Sequence, residues 1–318
     1  MAATNQHAAW AEHLQARLSK AAVVHSDHSL AKRTTLRVGG KADLYVEPAN
    51  ELDLAESLRF AKERSLAITL LGRGSNLLIR DGGIRGVVVC LAQPPFSQVI
   101  VEDIRLRCGA GARLKTVAVE ARRAGVAGLE FLEGIPGSVG GAMRMNAGAM
   151  GSSMFERIES LRYMDLDGGV FEKSVTDVAS QYRSCPLLKT HIALSAVLIG
   201  LRSSPEEIAQ RMSQYSNKRW ESQPPQPSAG CIFKNPATIP AGKLVDELGL
   251  KGASVGGARV SEIHGNFIVN DGNATSSEVL RLIQVIREKA RTQRGIELET
   301  EVEILGSDEP SSTPPGPV

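Results

Sequence analysis

The stretch Leu70–Arg80, LLGRGSNLLIR, is the one on which the fold turns. It follows a buried apolar run, LAITLLG (Leu66–Gly72), and carries Gly72, Gly74, Ser75 and Asn76. Glycines placed after a strand let backbone N–H groups turn toward a phosphate, and Ser75 and Asn76 add side-chain donors. The phosphate loop of a Rossmann unit, however, must open a helix. Here the chain continues as a short β-like run, Leu77–Arg80, so Rossmann geometry is not expected. A tight β-turn accounts for the same residues equally well on local grounds.

Working outward, the same α+β texture repeats. Asn50–Ser65, NELDLAESLRFAKERS, reads as a surface helix with Asn50 as its cap and leucines at Leu52, Leu54 and Leu58. GVVVCL (Gly86–Leu91) reads as a buried strand, and TTLRVGGKADLYVEP (Thr34–Pro48) as a hairpin about Gly39-Gly40. Trp10, Leu14 and Leu18 recur every four residues, which predicts a short N-terminal helix packed on the outside.

A second unit has strands in Val99–Gly111 and a helix from Arg113 to about Ala124. Asp167-Gly168 is its hairpin turn, and the strand Ile192–Arg202 closes it. Ser204 with Pro205 then starts a helix, and a proline-broken loop follows. The remainder alternates helix (Ala241–Leu250), strand (Gly265–Asn270), helix (Thr275–Gln293) and strand (Ile296–Leu305).

The expected boundaries are 1–22 for the helix, 23–92 and 93–202 for two α+β units, and 203–306 for a third. The tail, 307–318, has too little apolar surface to fold and is expected to be disordered.

The 37 basic and 35 acidic residues give a net charge of +2, no electrostatic footprint for nucleic acid, so an anionic partner must be bound locally. No segment approaches the ~18 apolar residues of a membrane span, and the N-terminus lacks the signature of a secretory signal. Cys90, Cys108, Cys185 and Cys231 lack paired spacing and read as reduced thiols of a cytoplasmic protein. The histidines are scattered without ligand spacing, so no metal is expected. Spacing does not fix the oligomeric state; a monomer is expected.

A denser glycine region, GLEFLEGIPGSVGGAMRMNAGAMG (Gly128–Gly151), includes Gly134, Gly137, Gly140, Gly141, Gly148 and Gly151. Each interior glycine costs roughly 0.5–1 kcal/mol relative to alanine, a cost easier to understand if a ligand lies against the backbone, with Ser138 and Asn146 as donors. The competing reading is glycine-mediated packing within a core. QYRSC (Gln181–Cys185) offers Arg183 to stabilise developing negative charge, a weak signal alone. Glu297, Glu299, Glu301 and Glu303 share one face of a strand by alternation, and nothing local singles out Glu301. In PSAGCIFKNP (Pro227–Pro236), Cys231 alone reads as a small buried hydrophobe, while Gly230 would let the backbone approach a ligand that Lys234 and Asn235 hold.

Taken in order, TTLRVGGKADLYVEP, GRGSNLLIRDGG, the dense glycine stretch, YRSC, SAGCIFKNP, AGKLVDELGLKG and LETEVEILG resemble the UDP-N-acetylenolpyruvoylglucosamine reductase (MurB) family, from about Thr34 to Gly306. The resemblance implies a two-subdomain FAD-binding fold of the vanillyl-alcohol oxidase/p-cresol methylhydroxylase type, followed by an α+β substrate-binding domain. It implies that NADPH reduces the flavin and that the enolpyruvyl group of UDP-N-acetylglucosamine enolpyruvate is then reduced to UDP-N-acetylmuramate for peptidoglycan. By motif position, FAD would be held by Gly72, Arg73, Gly74, Ser75, Asn76, Leu77, Gly134, Pro136, Gly137, Ser138, Gly141, Asn146 and Gly148. Arg183 and Glu301 would stabilise an enolate and Cys231 would donate a proton. Tyr182, Lys234, Asn235 and His264 would meet the substrate, His264 having a structural hydrogen bond as its alternative.

The family usually has serine where this chain has Cys231. A thiol of ordinary pKa ~8.5 can still act as an acid while protonated, so Glu301 should help by raising that value and Arg183 should lower it. Turnover should then decline at alkaline pH. Between Val178 and Leu198 there is no room for an inserted loop, which matches the compact type of the family. Three rivals remain: another flavoenzyme of this cofactor-binding group, a non-catalytic nucleotide-sugar binder, and a cysteine hydrolase using Cys231 with His264.

Overall fold

The computed structural model describes residues 2–308, with side chains from Gln6 onward. Its first unit is a four-stranded sheet in the order Val23–Ser29, Lys41–Glu47, Ile84–Val89, Ile68–Leu70, antiparallel at the first pair and parallel thereafter. The N-terminal helix Ala2–Arg17 and the helix Glu51–Glu63 pack beside it through Leu14, Leu54, Leu58 and Phe60. Asn50 caps the second helix, accepting the Asp53 N–H at 2.9 Å. Leu52 does not join the core: it is 82% exposed, because it falls on the outer side of the turn that buries Leu54.

The second unit is a wholly antiparallel five-stranded sheet in the order Val170–Ser174, Ile158–Met164, Ile192–Ile199, Arg105–Gly109, Val99–Glu102. Its hairpin turns at Asp167-Gly168 as the sequence predicts, with Gly168 at φ +91°. The helix Pro205–Ser222, capped by Ser204, belongs with this core through Ile208 and Met212 rather than opening the third unit.

The third unit sets Ser228–Cys231, Phe267–Asn270, Ala258–Val260 and Ser254–Val255 in one antiparallel sheet beneath the helices Ala241–Glu247 and Ser276–Arg294. The hairpin Ser254–Val260 has no apolar alternation long enough to be read from sequence.

Three expectations are corrected by the same event, the closure of the third unit onto the first. Thr34–Pro48 is not a hairpin: Lys41–Glu47 pairs back with Val23–Ser29, and Thr34–Gly40 is a loop whose Leu36 and Val38 are buried in the third unit's core. Gly39 (φ +122°) is required there, since a Cβ would come within 2.7 Å of Ile79. Ile296–Leu305 is not one strand either. Only Glu303–Leu305 is regular, because Glu301 N–H donates to Ile232 O (2.8 Å) and bends the chain across the third sheet before it pairs in parallel with Leu77–Ile79. The tail, expected to be free from 307, remains attached for two residues, Ser307 N–H donating to Gly83 O and Asp308 pairing with Arg80 at 2.6 Å. Residues 309–318 lie outside the described residues.

Asp81, in the loop after Leu77–Ile79, completes the closure. It accepts Ser276 N–H (2.8 Å), Ser277 N–H (2.9 Å) and the Ser277 hydroxyl (2.6 Å) at the first turn of the long third-unit helix. Burial works against its charge, but the hydrogen bonds from Ser277 and Ser276 outweigh it and hold the Asp81 pKa below its ordinary value. Asp81→Ala should therefore lower stability by about 1–2 kcal/mol near neutral pH. A depressed carboxylate stabilises above its unfolded pKa of about 4 and stops doing so as pH falls through the native value. Urea titrations of the two proteins should differ at pH 7 and converge in acid; a constant difference would refute the assignment.

Candidate active site

Two cavities, of about 1060 and 860 Å³, lie where the three units meet and share Gly72, Arg73, Pro136, Ser138, Arg144 and Arg219 as walls. The two glycine loops face one another across this seam. The glycines divide into two kinds. At Gly74 (φ +60°) and Gly148 the chain itself demands glycine, since a Cβ would come within 2.7 Å of Thr34 Cα or 2.8 Å of Ser152 O. At Gly134, Gly137 and Gly141 no left-handed φ is needed and a Cβ would meet nothing closer than 3.4 Å. Alanine would fit the protein at those three positions but would stand in the cavity they line.

The smaller cavity brings together the three residues expected to do chemistry. Arg183 projects from a tight turn closed by Gln181 N–H to Ser184 O (2.8 Å), and it holds φ +55°, a strained value for a non-glycine residue. Its Nε donates to Glu301 Oε1 at 2.8 Å. Cys231 follows Gly230 (φ +78°) at an irregularity in the strand pairing, which turns it toward the cavity. Burial pushes the Cys231 thiol up to about 11, the Glu301 charge adding to the rise while Arg183 and a hydrogen bond from Asn266 oppose it. The protonated thiol is therefore the resident form well above neutral pH.

Of the residues expected to hold a cofactor, Gly72, Arg73, Gly74, Ser75, Asn76, Leu77, Gly134, Pro136, Gly137, Ser138, Gly141 and Gly148 all line this cavity. Asn146 does not; its amide donates to Gln181 O (3.2 Å) and accepts Phe155 N–H (3.2 Å), supporting the turn that carries Arg183. Of the residues expected to meet a substrate, Tyr182 lines neither cavity; it is 71% exposed, with the guanidinium of Arg183, which does line the smaller one, 5.0 Å from its ring centre. Lys234, Asn235 and His264 line neither cavity, and each has a structural partner instead. Lys234 pairs with Glu299 at 2.9 Å, Asn235 accepts the Ala241 N–H that starts a helix, and His264 Nδ1 accepts Asn266 N–H at 3.1 Å.

Sequence reading missed Arg144, Arg219 and Glu303. Arg144 closes a two-pronged pair with Glu303 (2.7 and 2.9 Å) at the cavity wall. The alternation of Glu299, Glu301 and Glu303 was visible, but not that Lys234, Arg183 and Arg144 would meet them one by one. Arg219 lines both cavities, and burial lowers its pKa, with Glu133 working against that fall. The larger cavity is lined by Lys32, Arg33, Arg37, Arg73, Arg113, Arg144 and Arg219 and, among the described residues, by no carboxylate. In a chain of net charge +2 this concentration of cations suits a polyanionic ligand.

The geometry makes the thiol's titration testable. Alkylation of Cys231, followed by mass spectrometry against pH, should rise with an apparent pKa near 11. Glu301→Gln should shift it down and Arg183→Gln up, since each removes one neighbouring charge. An ordinary profile near ~8.5 would contradict the burial described here.

Comparison with known proteins matches residues 42–174 to an FAD binding domain and residues 223–305 to the C-terminal domain of UDP-N-acetylenolpyruvoylglucosamine reductase. A UDP-N-acetylenolpyruvoylglucosamine reductase of Clostridioides difficile (strain 630) is 41% identical over 284 residues, 89% of this chain and 93% of that protein. One from Geotalea uraniireducens (strain Rf4) is 43% identical over 281 residues, 88% and 93%. The crystal structure of the enzyme from Thermus caldophilus superposes with a TM-score of 0.78 at 36% identity, covering 90% of this chain and 99% of that one.

Proposed function

Since the chain belongs to the UDP-N-acetylenolpyruvoylglucosamine reductase family, FAD-dependent oxidoreductases of peptidoglycan precursor synthesis, we propose that Arg183, Glu301 and Cys231 are its catalytic residues and NADPH its reductant. The observation that carries the residue assignment is their convergence on one cavity from three separate segments, with Arg183 and Glu301 in direct contact.

The residues fit FAD. Gly134, Gly137 and Gly141 leave open space that the protein does not itself require, and cations without carboxylates line the adjoining cavity, as a diphosphate needs. When bound, FAD supplies two-electron transfer between the nicotinamide and the enolpyruvyl double bond of UDP-N-acetylglucosamine enolpyruvate. The chain's own residues manage the charge and the proton. The Nε edge of Arg183 is committed to Glu301, which leaves its Nη nitrogens to face the substrate carboxylate as negative charge develops there. Strain at Arg183 is the cost of aiming that guanidinium, and Asn146 supports the turn against it. Cys231 Sγ–H then gives its proton to the carbon next to the carboxylate, producing UDP-N-acetylmuramate, and is reprotonated from solvent. A pKa near 11 keeps that proton in place at working pH and places the alkaline limb higher than an ordinary thiol would.

Tyr182, stacked beside Arg183 outside the cavity lining, is the substrate contact we assign. Among the described residues no helix is long and apolar enough to cross a membrane. The cytoplasm, where NADPH and nucleotide sugars are available, is the compartment we assign.

The test is an anaerobic visible spectrum of the purified protein, reduced with limiting NADPH and then given UDP-N-acetylglucosamine enolpyruvate. A flavin band near ~450 nm should bleach and return only with that substrate. Bleaching without return would refute the substrate, and no bleaching with NADPH would refute the reductant. In steady-state assays Cys231→Ser should abolish the alkaline limb; an unchanged limb would show that another group titrates.

A further inference from the structure

Beneath Cys231 lies a buried amide to which neither the motif reading nor the reaction assigns a part. Asn266 is 3% exposed, and its side chain brackets one residue: Oδ1 accepts Phe233 N–H and Nδ2 donates to Phe233 O, each at 2.8 Å. Its backbone adds two further ties, Ile232 N–H donating to Asn266 O (2.8 Å) and Asn266 N–H donating to His264 Nδ1 (3.1 Å).

The position of this bracket matters. The pairing of Ser228–Cys231 with Phe267–Asn270 is irregular between Ser228 and Cys231, where Gly230 takes φ +78°. A bulge of this kind re-aims a side chain and ends regular pairing. Phe233 lies just past it, 1% exposed, where unpaired backbone groups would be costly. The Asn266 amide takes the place of a neighbouring strand for Phe233, so the chain can turn Cys231 toward the cavity without leaving buried polar groups unmet. The same amide lies on the side of Cys231 where it favours the ionised sulfur, working against the rise that burial and Glu301 impose.

We propose that Asn266 is a positioning residue for the proton donor, fixing the height and direction of Cys231 by substituting for strand hydrogen bonds at the bulge. The proposal rests on the donor role assigned to Cys231 above. It also gives His264 a place in the same brace: a ring nitrogen that accepts Asn266 N–H must be unprotonated, and burial, with Lys251 contributing, lowers the His264 pKa in that direction.

The test uses the FAD-loaded enzyme and two readouts. Asn266→Ala should reduce kcat roughly tenfold or more while leaving KM for the UDP-sugar unchanged, because a misplaced donor affects the proton-transfer step rather than binding. In a Cys231→Ala background, which has no donor left to position, the same substitution should cost markedly less of the residual turnover. Independently of turnover, the alkylation profile of Cys231 should shift to higher pH in Asn266→Ala, which loses a donor to the thiolate. It should shift further in Asn266→Asp, which puts a negative charge there. Asn266→Asp also serves as the second variant if the alanine protein fails to fold, because it retains the acceptor for Phe233 N–H.

Unchanged alkylation profiles in both variants, or an equal loss of kcat in the wild-type and Cys231→Ala backgrounds, would overturn the proposal. If the wild-type protein does not turn over this substrate at all, the catalytic reading fails on that result, and the alkylation shift still decides whether Asn266 holds the thiol.

Discussion

The parallel pairing of Leu77–Ile79 with Glu303–Leu305 is the constraint on which the site depends. Leu77–Ile79 takes no part in the first unit's own sheet, though it lies in sequence between two of that sheet's strands. Leaving that sheet puts Gly72–Asn76 at the seam and ends them in a strand instead of a helix, which is why the loop lacks Rossmann geometry. The other half of the pair fixes the third unit. Glu303 N–H donates to Asn76 O (3.0 Å) and Asn76 Nδ2 to Glu301 O (3.2 Å), so one glycine-loop residue sets the height of the Glu301 backbone. Leu36 and Val38 of the first unit, buried in the third unit's core, and the Asp81 cap secure the same closure from other sides.

This closure turns an alternation into an electrostatic device. Glu299, Glu301 and Glu303 each meet a cation from elsewhere in the chain, and their surroundings separate their roles. The Lys234–Glu299 pair is open to solvent, the Glu side chain 75% exposed, and such pairs contribute about 0–1 kcal/mol. Glu301 is 14% exposed, so its bond to Arg183 works in a medium where charges interact strongly. That pair leaves the thiol beside a nearby negative and a nearby positive charge, and burial, the largest influence, decides the direction. A serine at this position would not titrate in any accessible range. With cysteine, desolvation has to supply what the alcohol has intrinsically, a proton retained until it is needed.

Much of the fold was legible because it is local. The Asn50 and Ser204 caps, the Asp167-Gly168 turn and the amphipathic helices follow from neighbours a few residues apart. The failures came where a segment's partner is distant in sequence. Leu36 and Val38 alternate as a strand does, but the third-unit surface they cover begins about 190 residues away, so a hairpin was the natural misreading. Ile296–Leu305 alternates throughout, yet a turn across Ile232 interrupts it. In the site, motif order pointed to Arg183, Cys231 and Glu301. It also suggested Lys234 and Asn235, which share a motif with Cys231 while their side chains serve an ion pair and a helix start. Arg144, Arg219 and Asn266 carry no local signal at all, since what each does depends on which buried groups lie opposite.

The glycines show how structure separates two meanings that sequence merges. Gly39, Gly74 and Gly148 occur in motifs as rich as those of Gly134, Gly137 and Gly141, and composition gives no reason to treat them differently. Their surroundings do: a Cβ on any of the first three would strike the protein's own atoms, whereas the second three line the cavity and a Cβ there would meet only ordinary contacts. The first kind closes the fold, and loss of it should be felt as instability with or without a ligand. The second kind keeps a surface flat for something else, and the added side chain would be felt chiefly when that space is filled. A glycine-rich motif in this chain is therefore two superposed requirements, one for the turn and one for the ligand, and only the backbone angles and neighbouring atoms assign each residue to its own.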